Sequence, residues 1–272
     1  VSTRTELWVP GNDLSEEYPT PPLDELAQHW SEYTGKNTLS TNGVYGAFTE
    51  PTQPIRAIAS IDVCEVLRDS VGSIDLASGR KITRRSNYAE GLWFKNDETL
   101  YDSVYQQSFY TNFLRVAMTN GQVPPVENIE EINDIVSGWQ ERGIYPVANT
   151  ATLEGCEIGT IRHTLGKYMA KSFAAIVFPR YFESEGMITK PTALKALATD
   201  LNVDLKETPT IHIDDAVKHI KAFDEDRDSF TDLDLIIPLH TDNGDEAFDR
   251  YHVPTPLAAF ERADKLFAER GI

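Results

Sequence analysis

Five short apolar runs set the limits on what this chain can become. They begin near residues 55, 144, 173, 209 and 233, with helical patterns between the later ones. Ile55 to Ile61 (IRAIASI), Ile144 to Ala148, Phe173 to Phe178 (FAAIVF), Pro209 to Ile213 and Leu233 to Leu239 (LDLIIPL) read as buried strands. Runs of this length and character suit strands covered on both faces. Ile129 to Arg142 carries Ile132, Ile135, Val136 and Trp139 on one side and stops at Gly143, the expected end of a helix. Thr160 to Ser172, Lys190 to Leu201 and Ala216 to Phe223 read as further helices, with Pro191 in a first turn, and His252 to Glu269 ends in another. The fold expected from this order is α/β: a mainly parallel Rossmann-like sheet with helices on both faces.

Two stretches fall outside that rhythm. Residues 1–54 are irregular and rich in Pro, Gly, Ser and Thr, with one short amphipathic helix at Leu23 to Tyr33. They are expected to form an N-terminal extension, either wrapping the core or reaching a partner. Residues 65–125 are too long for a single crossover and read as an inserted, mostly helical cap above the strand ends. Within it Thr99 to Thr119 carries Tyr101, Tyr105, Phe109, Tyr110 and Phe113. These aromatics either pack on another element or line a pocket suited to a base or another flat group. The core is then 55–64 together with 126–272.

Charge and composition narrow the function. The formal net charge is -18, which repels nucleic acid backbones, so no nucleic acid polymer is expected as a partner. A small phosphorylated substrate remains compatible, because a bound cation inverts the local field. No apolar run is long enough for a membrane span, and the first residues lack the apolar stretch of a signal peptide. Two cysteines, Cys64 and Cys156, fit a reducing compartment, and a cytoplasmic location is expected. The six histidines form no HExxH, the cysteines no CxxC, and the glycines neither a P-loop nor a dinucleotide fingerprint. Monomer and homo-oligomer both stay open.

The polar residues at the strand ends carry the chemistry. Asp62 follows the first run, Asn149 and Thr150 the second, and Asp214 with Asp215 the fourth, in Ile-His-Ile-Asp-Asp at 211–215. Lys190 precedes Pro191 at a helix start, where a cation is disfavoured unless an anion lies near. Acidic strand ends and one lysine in an α/β chain point to a divalent metal and a phosphate-like substrate. Each residue also has a plainer reading: Asp62 or the 214–215 pair as helix caps, Lys190 as a solvated lysine, Cys64 as a small buried hydrophobe.

In this order and spacing the segments resemble the haloacid dehalogenase-like superfamily, over about residues 55–245. The resemblance implies a Mg²⁺-dependent phosphoester hydrolase acting on a small phosphorylated substrate, a nucleotide being one that would fit. Asp62 would be the nucleophile and form an aspartyl-phosphate. Cys64 stands two residues on, where many members have a second Asp that works as acid and base. Asn149 or Thr150 would bond the phosphoryl oxygens, Lys190 would neutralise charge, and Asp62, Asp214 and Asp215 would hold the Mg²⁺. Glu65 is a weaker acid–base candidate. A thiol at 64 is a poor proton donor, so the resemblance equally admits a catalytically weakened member with a binding or structural role.

Overall fold

The computed structural model describes residues 19–70, 115–152, 155–179, 188–238 and 246–272. In chain order it begins with α1 (Leu23–Thr34), β1 (Thr38–Ser40), β2 (Tyr45–Thr49) and β3 (Ala57–Ile61). Further along the chain come α2 (Ile129–Glu141), β4 (Ile144–Asn149), the helical turn α3 (Glu157–Gly159), a π-helical run (Thr160–Leu165) and the turn α4 (Gly166–Tyr168). The chain closes with β5 (Ala175–Phe178), α5 (Lys190–Asp200), β6 (Thr210–Ile213), α6 (Val217–Glu225), β7 (Leu233–Pro238), β8 (His252–Val253) and α7 (Pro256–Glu269). Most of the aromatic segment expected as a helix at 99–119 lies outside the described residues, and only 115–119 are seen, as helix.

All five expected strands are present, in one mixed sheet of order β1-β2-β5-β4-β3-β6-β7-β8. The central strands run parallel: β3 beside β4 and β6, β4 beside β5, β6 beside β7. Residues 38–49 add two strands that the irregular composition of the N-terminal segment concealed. β2 joins the edge antiparallel to β5, and β1 pairs with β2. Gly46 is required there, because a Cβ would stand 2.4 Å from the Ile176 carbonyl oxygen.

Two apolar layers cover the sheet, sorted by the period of two along each strand. Ala57, Ala59 and Ile61 of β3 and Ile211 and Ile213 of β6 face one layer, where α1, α2 and α7 contribute Trp30, Trp139, Phe260 and Phe267. Ile58 of β3 and Val147 of β4 face the other, built with Leu194 and Leu197 of α5 and Ile220 and Phe223 of α6. Ser60 and Asp62, like His212 and Asp214, therefore belong to the α5/α6 side, and the register sets Ser60 opposite His212.

The chain steps from β3 to β4 to β5 in one direction, then returns across β3 to β6 and β7. The reversal leaves a switch point at β3, and in open α/β sheets the crevice beyond the carboxyl ends at such a point is where ligands bind.

The helix expected over Thr160 to Ser172 is not regular. Its first part is π-helical, and the Thr160 hydroxyl donates to the Cys156 carbonyl at 2.9 Å while accepting from Arg68 at 2.9 Å. A β-branched residue that bonds back one turn competes with the regular ladder, consistent with the irregular winding.

Candidate active site

Asp62 is the first residue past β3, and its backbone N–H donates to the Ile213 carbonyl, tying it to β6. Asp214 is the first residue past β6 and Asp215 the next. Oxygens of Asp62, Asp214 and Asp215 lie within 4.8 Å of one another. All three residues are buried. The pair does not cap the following helix, since α6 starts from Ala216 with no side-chain cap. Instead Asp214 Oδ1 accepts from the Ala216 N–H at 2.9 Å.

Lys190 enters from α5. Thr189 caps that helix by accepting from the Thr192 N–H, and Pro191 sits in the first turn, so the helix start is fixed by its own sequence. The lysine is 1 % exposed, with Nζ 2.8 Å from Asp62 Oδ1 and 2.5 Å from Asp214 Oδ2. Burial alone would lower its pKa, but Asp214 and Asp62 outweigh burial and raise it. Burial acts on Asp214 in the opposite sense, yet Lys190, followed by His219 and His212, holds that carboxyl well below the usual range. Asp62 is raised, first by burial, with Lys190 opposing and Asp214 adding to the rise. Asp215 is raised well above its ordinary value by burial and then by Asp214, Asp62 and Glu65.

One lysine thus leaves excess negative charge among three buried carboxylates, a costly arrangement that a divalent cation would relieve. The donors are hard carboxylate oxygens, which suit a hard divalent ion rather than a thiophilic one. The site can coordinate a divalent metal.

Asn149 and Thr150, the alternatives at the end of β4, differ in what they have to offer. The Asn149 amide donates to Ser60 Oγ at 3.1 Å and to the Lys190 carbonyl at 3.0 Å, so both of its donors are engaged. Thr150 is fully buried, and its hydroxyl has no hydrogen-bond partner among the described residues.

The expected Cys-substituted motif is corrected. The acidic cluster is complete as Asp62, Asp214 and Asp215, and Cys64 is not part of it. After Val63 the chain leaves the strand direction: Glu65 takes a left-handed conformation (φ 58), and the Leu67 and Arg68 N–H groups both donate to the Val63 carbonyl. Cys64 Sγ accepts from Arg68 Nη2 at 3.1 Å, and the same buried guanidinium donates to Thr152 at 2.8 Å and Thr160 at 2.9 Å. The thiol is bound into a structural turn, and its pKa is raised, chiefly by burial.

Ser60, His212 and Arg68 were not singled out as site residues by sequence reasoning. Ser60 and His212 each stand two residues before a carboxylate of the cluster, and the strand period of two was the available signal. Arg68 had none, because its partners come from segments 84 and 92 residues away.

No protein-family model matches the chain, and no curated protein sequence matches it. Solved structures similar to it include a haloacid dehalogenase-like family hydrolase from Streptococcus pneumoniae, at 12% identity and TM-score 0.49, covering 76% of this chain and 98% of that one. Another is a haloacid dehalogenase-like hydrolase from Xanthomonas campestris, at 12% identity and TM-score 0.45, covering 80% and 99%. A third is CbbY from Rhodobacter sphaeroides in complex with phosphate, at 12% identity and TM-score 0.46, covering 75% and 96%. All three scores are below 0.5, so the fold and the site rest on this chain's own sheet and side chains.

Proposed function

We propose that this protein is a Mg²⁺-dependent phosphoester hydrolase acting on a small phosphorylated substrate, with Asp62 as its nucleophile. The observation that carries the reading is the grouping of Asp62, Asp214 and Asp215 within 4.8 Å at the switch point of the sheet. A hard divalent ion held by those carboxylates would supply charge neutralisation at the phosphoryl oxygens. Asp62 would attack phosphorus, the bond to the leaving oxygen would break, and the carboxylate would carry the phosphoryl group. Water would then attack that phosphorus, releasing phosphate and regenerating Asp62. Lys190 would hold Asp62 and Asp214 in place and offset the charge that gathers in the transition state. Thr150 is the better of the two β4 candidates for a phosphoryl oxygen, because its hydroxyl has no other partner among the described residues.

The test is hydrolysis of an activated aryl phosphate by the wild type and by Asp62→Asn, with and without Mg²⁺. The reading expects Mg²⁺-dependent turnover that falls by at least about 10³-fold in the variant, as removal of a nucleophile requires. Turnover retained in Asp62→Asn contradicts it. Mg²⁺ binding without turnover on any phosphoester would favour a binding role instead.

A further inference from the structure

The carboxylates stand on a polar floor. Below them Asn149, Ser60 and His212 form a row across β4, β3 and β6, all of them fully buried. His212 Nδ1 lies 3.0 Å from Ser60 Oγ, and His212 Nε2 lies 3.2 Å from Asp214 Oδ2. The groups at the two ends of the row can only accept, and they set the direction of the bonds that reach them. The Lys190 carbonyl can only accept, so the Asn149 amide nitrogen must face it, and the same nitrogen donates to Ser60 Oγ. The Asp214 carboxylate can only accept, so Nε2 carries the proton that faces it. On that tautomer Nδ1 accepts from the Ser60 hydroxyl at 3.0 Å, and its 3.2 Å approach to the Ser60 carbonyl oxygen, itself only an acceptor, is not a hydrogen bond. The circuit closes on one residue: it starts at the Lys190 carbonyl and ends at a carboxylate that also takes the Lys190 ammonium at 2.5 Å. Phe223 of α6 stacks on the imidazole at 4.0 Å and 29°, which fixes the ring plane.

We propose that His212, held by Ser60 and Asn149, is a positioning residue whose Nε2–H sets the orientation in which Asp214 joins Asp62 and Asp215 in taking a divalent cation. The proposal rests on the metal-centre reading of those carboxylates. Its physical content is that Asp214 Oδ1 is anchored by the backbone at Ala216 while Oδ2 has two anchors, Lys190 and His212. Lys190 also pairs with Asp62, so its ammonium follows two carboxylates. The histidine answers to Asp214 alone among the three. Partners of this kind, one step removed from a metal, orient the ligand, and their loss typically weakens metal affinity by about 10–100-fold.

The experiment is calorimetric titration with Mg²⁺, joined to nitrogen-resolved NMR of the histidine side chains. His212→Phe keeps the stacking and the volume but removes the donor, and the Mg²⁺ dissociation constant should rise by about 10–100-fold. His212→Gln, whose amide nitrogen can stand where Nε2 stood, should recover most of that affinity. In the metal-free wild type the His212 Nε2 proton should be slow to exchange and shifted by its carboxylate partner, and Asp214→Asn should move it. If His212→Phe does not fold, Ser60→Ala tests the same circuit: it removes the donor to Nδ1 and should move the Nε2 proton and weaken Mg²⁺ binding. Mg²⁺ binding unaffected by either variant overturns this proposal alone, as does a His212 ring that carries its proton on Nδ1. A wild type that binds no Mg²⁺ overturns the metal-centre reading and this proposal with it.

Discussion

Lys190 carries more of this site than any other single side chain. It is the only cation that the described residues place within 4 Å of both Asp62 and Asp214. Removing one partner of a buried ion pair strands the other charge, at a typical cost of about 3–5 kcal/mol. Lys190→Ala should therefore lose about 3–5 kcal/mol in urea unfolding without divalent ions. Mg²⁺ should then restore more stability to the variant than it adds to the wild type, because the ion supplies the missing positive charge. A loss below about 1 kcal/mol would mean that the carboxylates take up protons instead of charge, and that the lysine is dispensable. At this scale the sequence was partly readable. Asp62, Asp214 and Asp215 could be picked out because each follows an apolar run that had to be a strand. Cys64 was misread because its fate depends on how the backbone turns after Val63 and on Arg68, whose hydroxyl partners are far along the chain.

At the scale of elements, the five central strands were readable from unbroken apolar runs, α2 and α5 from a helical stretch with Gly143 or Pro191 at a limit, and α7 from the apolar residues near the end of the chain. β1 and β2 were not. They are short, they lie in a segment rich in turn residues, and they exist because β5 offers an open edge. Tertiary pairing, which no local pattern records, decides such strands. Gly46→Ala tests how firmly that edge is built. The new methyl would meet the Ile176 carbonyl oxygen at 2.4 Å, with Val177 atoms within 3.1 Å. Backbone of the partner strand cannot yield cheaply, so the substitution should lower stability by about 1–3 kcal/mol, read as a lower urea midpoint. An unchanged midpoint would show that β2 pairs loosely with β5. The π-helical run was also beyond local reading, since Thr160 answers to Arg68 across the fold.

At the scale of the whole molecule, one topological fact organises the rest. The strand order reverses at β3, so Asp62 comes from the pivot strand, Asp214 and Asp215 from the neighbour on one side, and Asn149 and Thr150 from the neighbour on the other. No alternation of hydrophobic residues reveals that order, because it is set by which strands pair across the sheet. The acidity of the chain, net -18, does not conflict with a phosphorylated substrate if a divalent ion sits among the buried carboxylates. Among the described residues no helix is long and apolar enough to cross a membrane. The central claim is that this convergence makes Asp62 a phosphoryl acceptor. The most direct test mixes the protein with Mg²⁺ and an activated aryl phosphate, quenches with acid during turnover, and maps any modified residue by mass spectrometry. The account predicts one added phosphoryl group, on Asp62, that disappears as substrate is exhausted. Turnover with the phosphoryl group found on another residue, or no substrate hydrolysed although Mg²⁺ is bound, would contradict it.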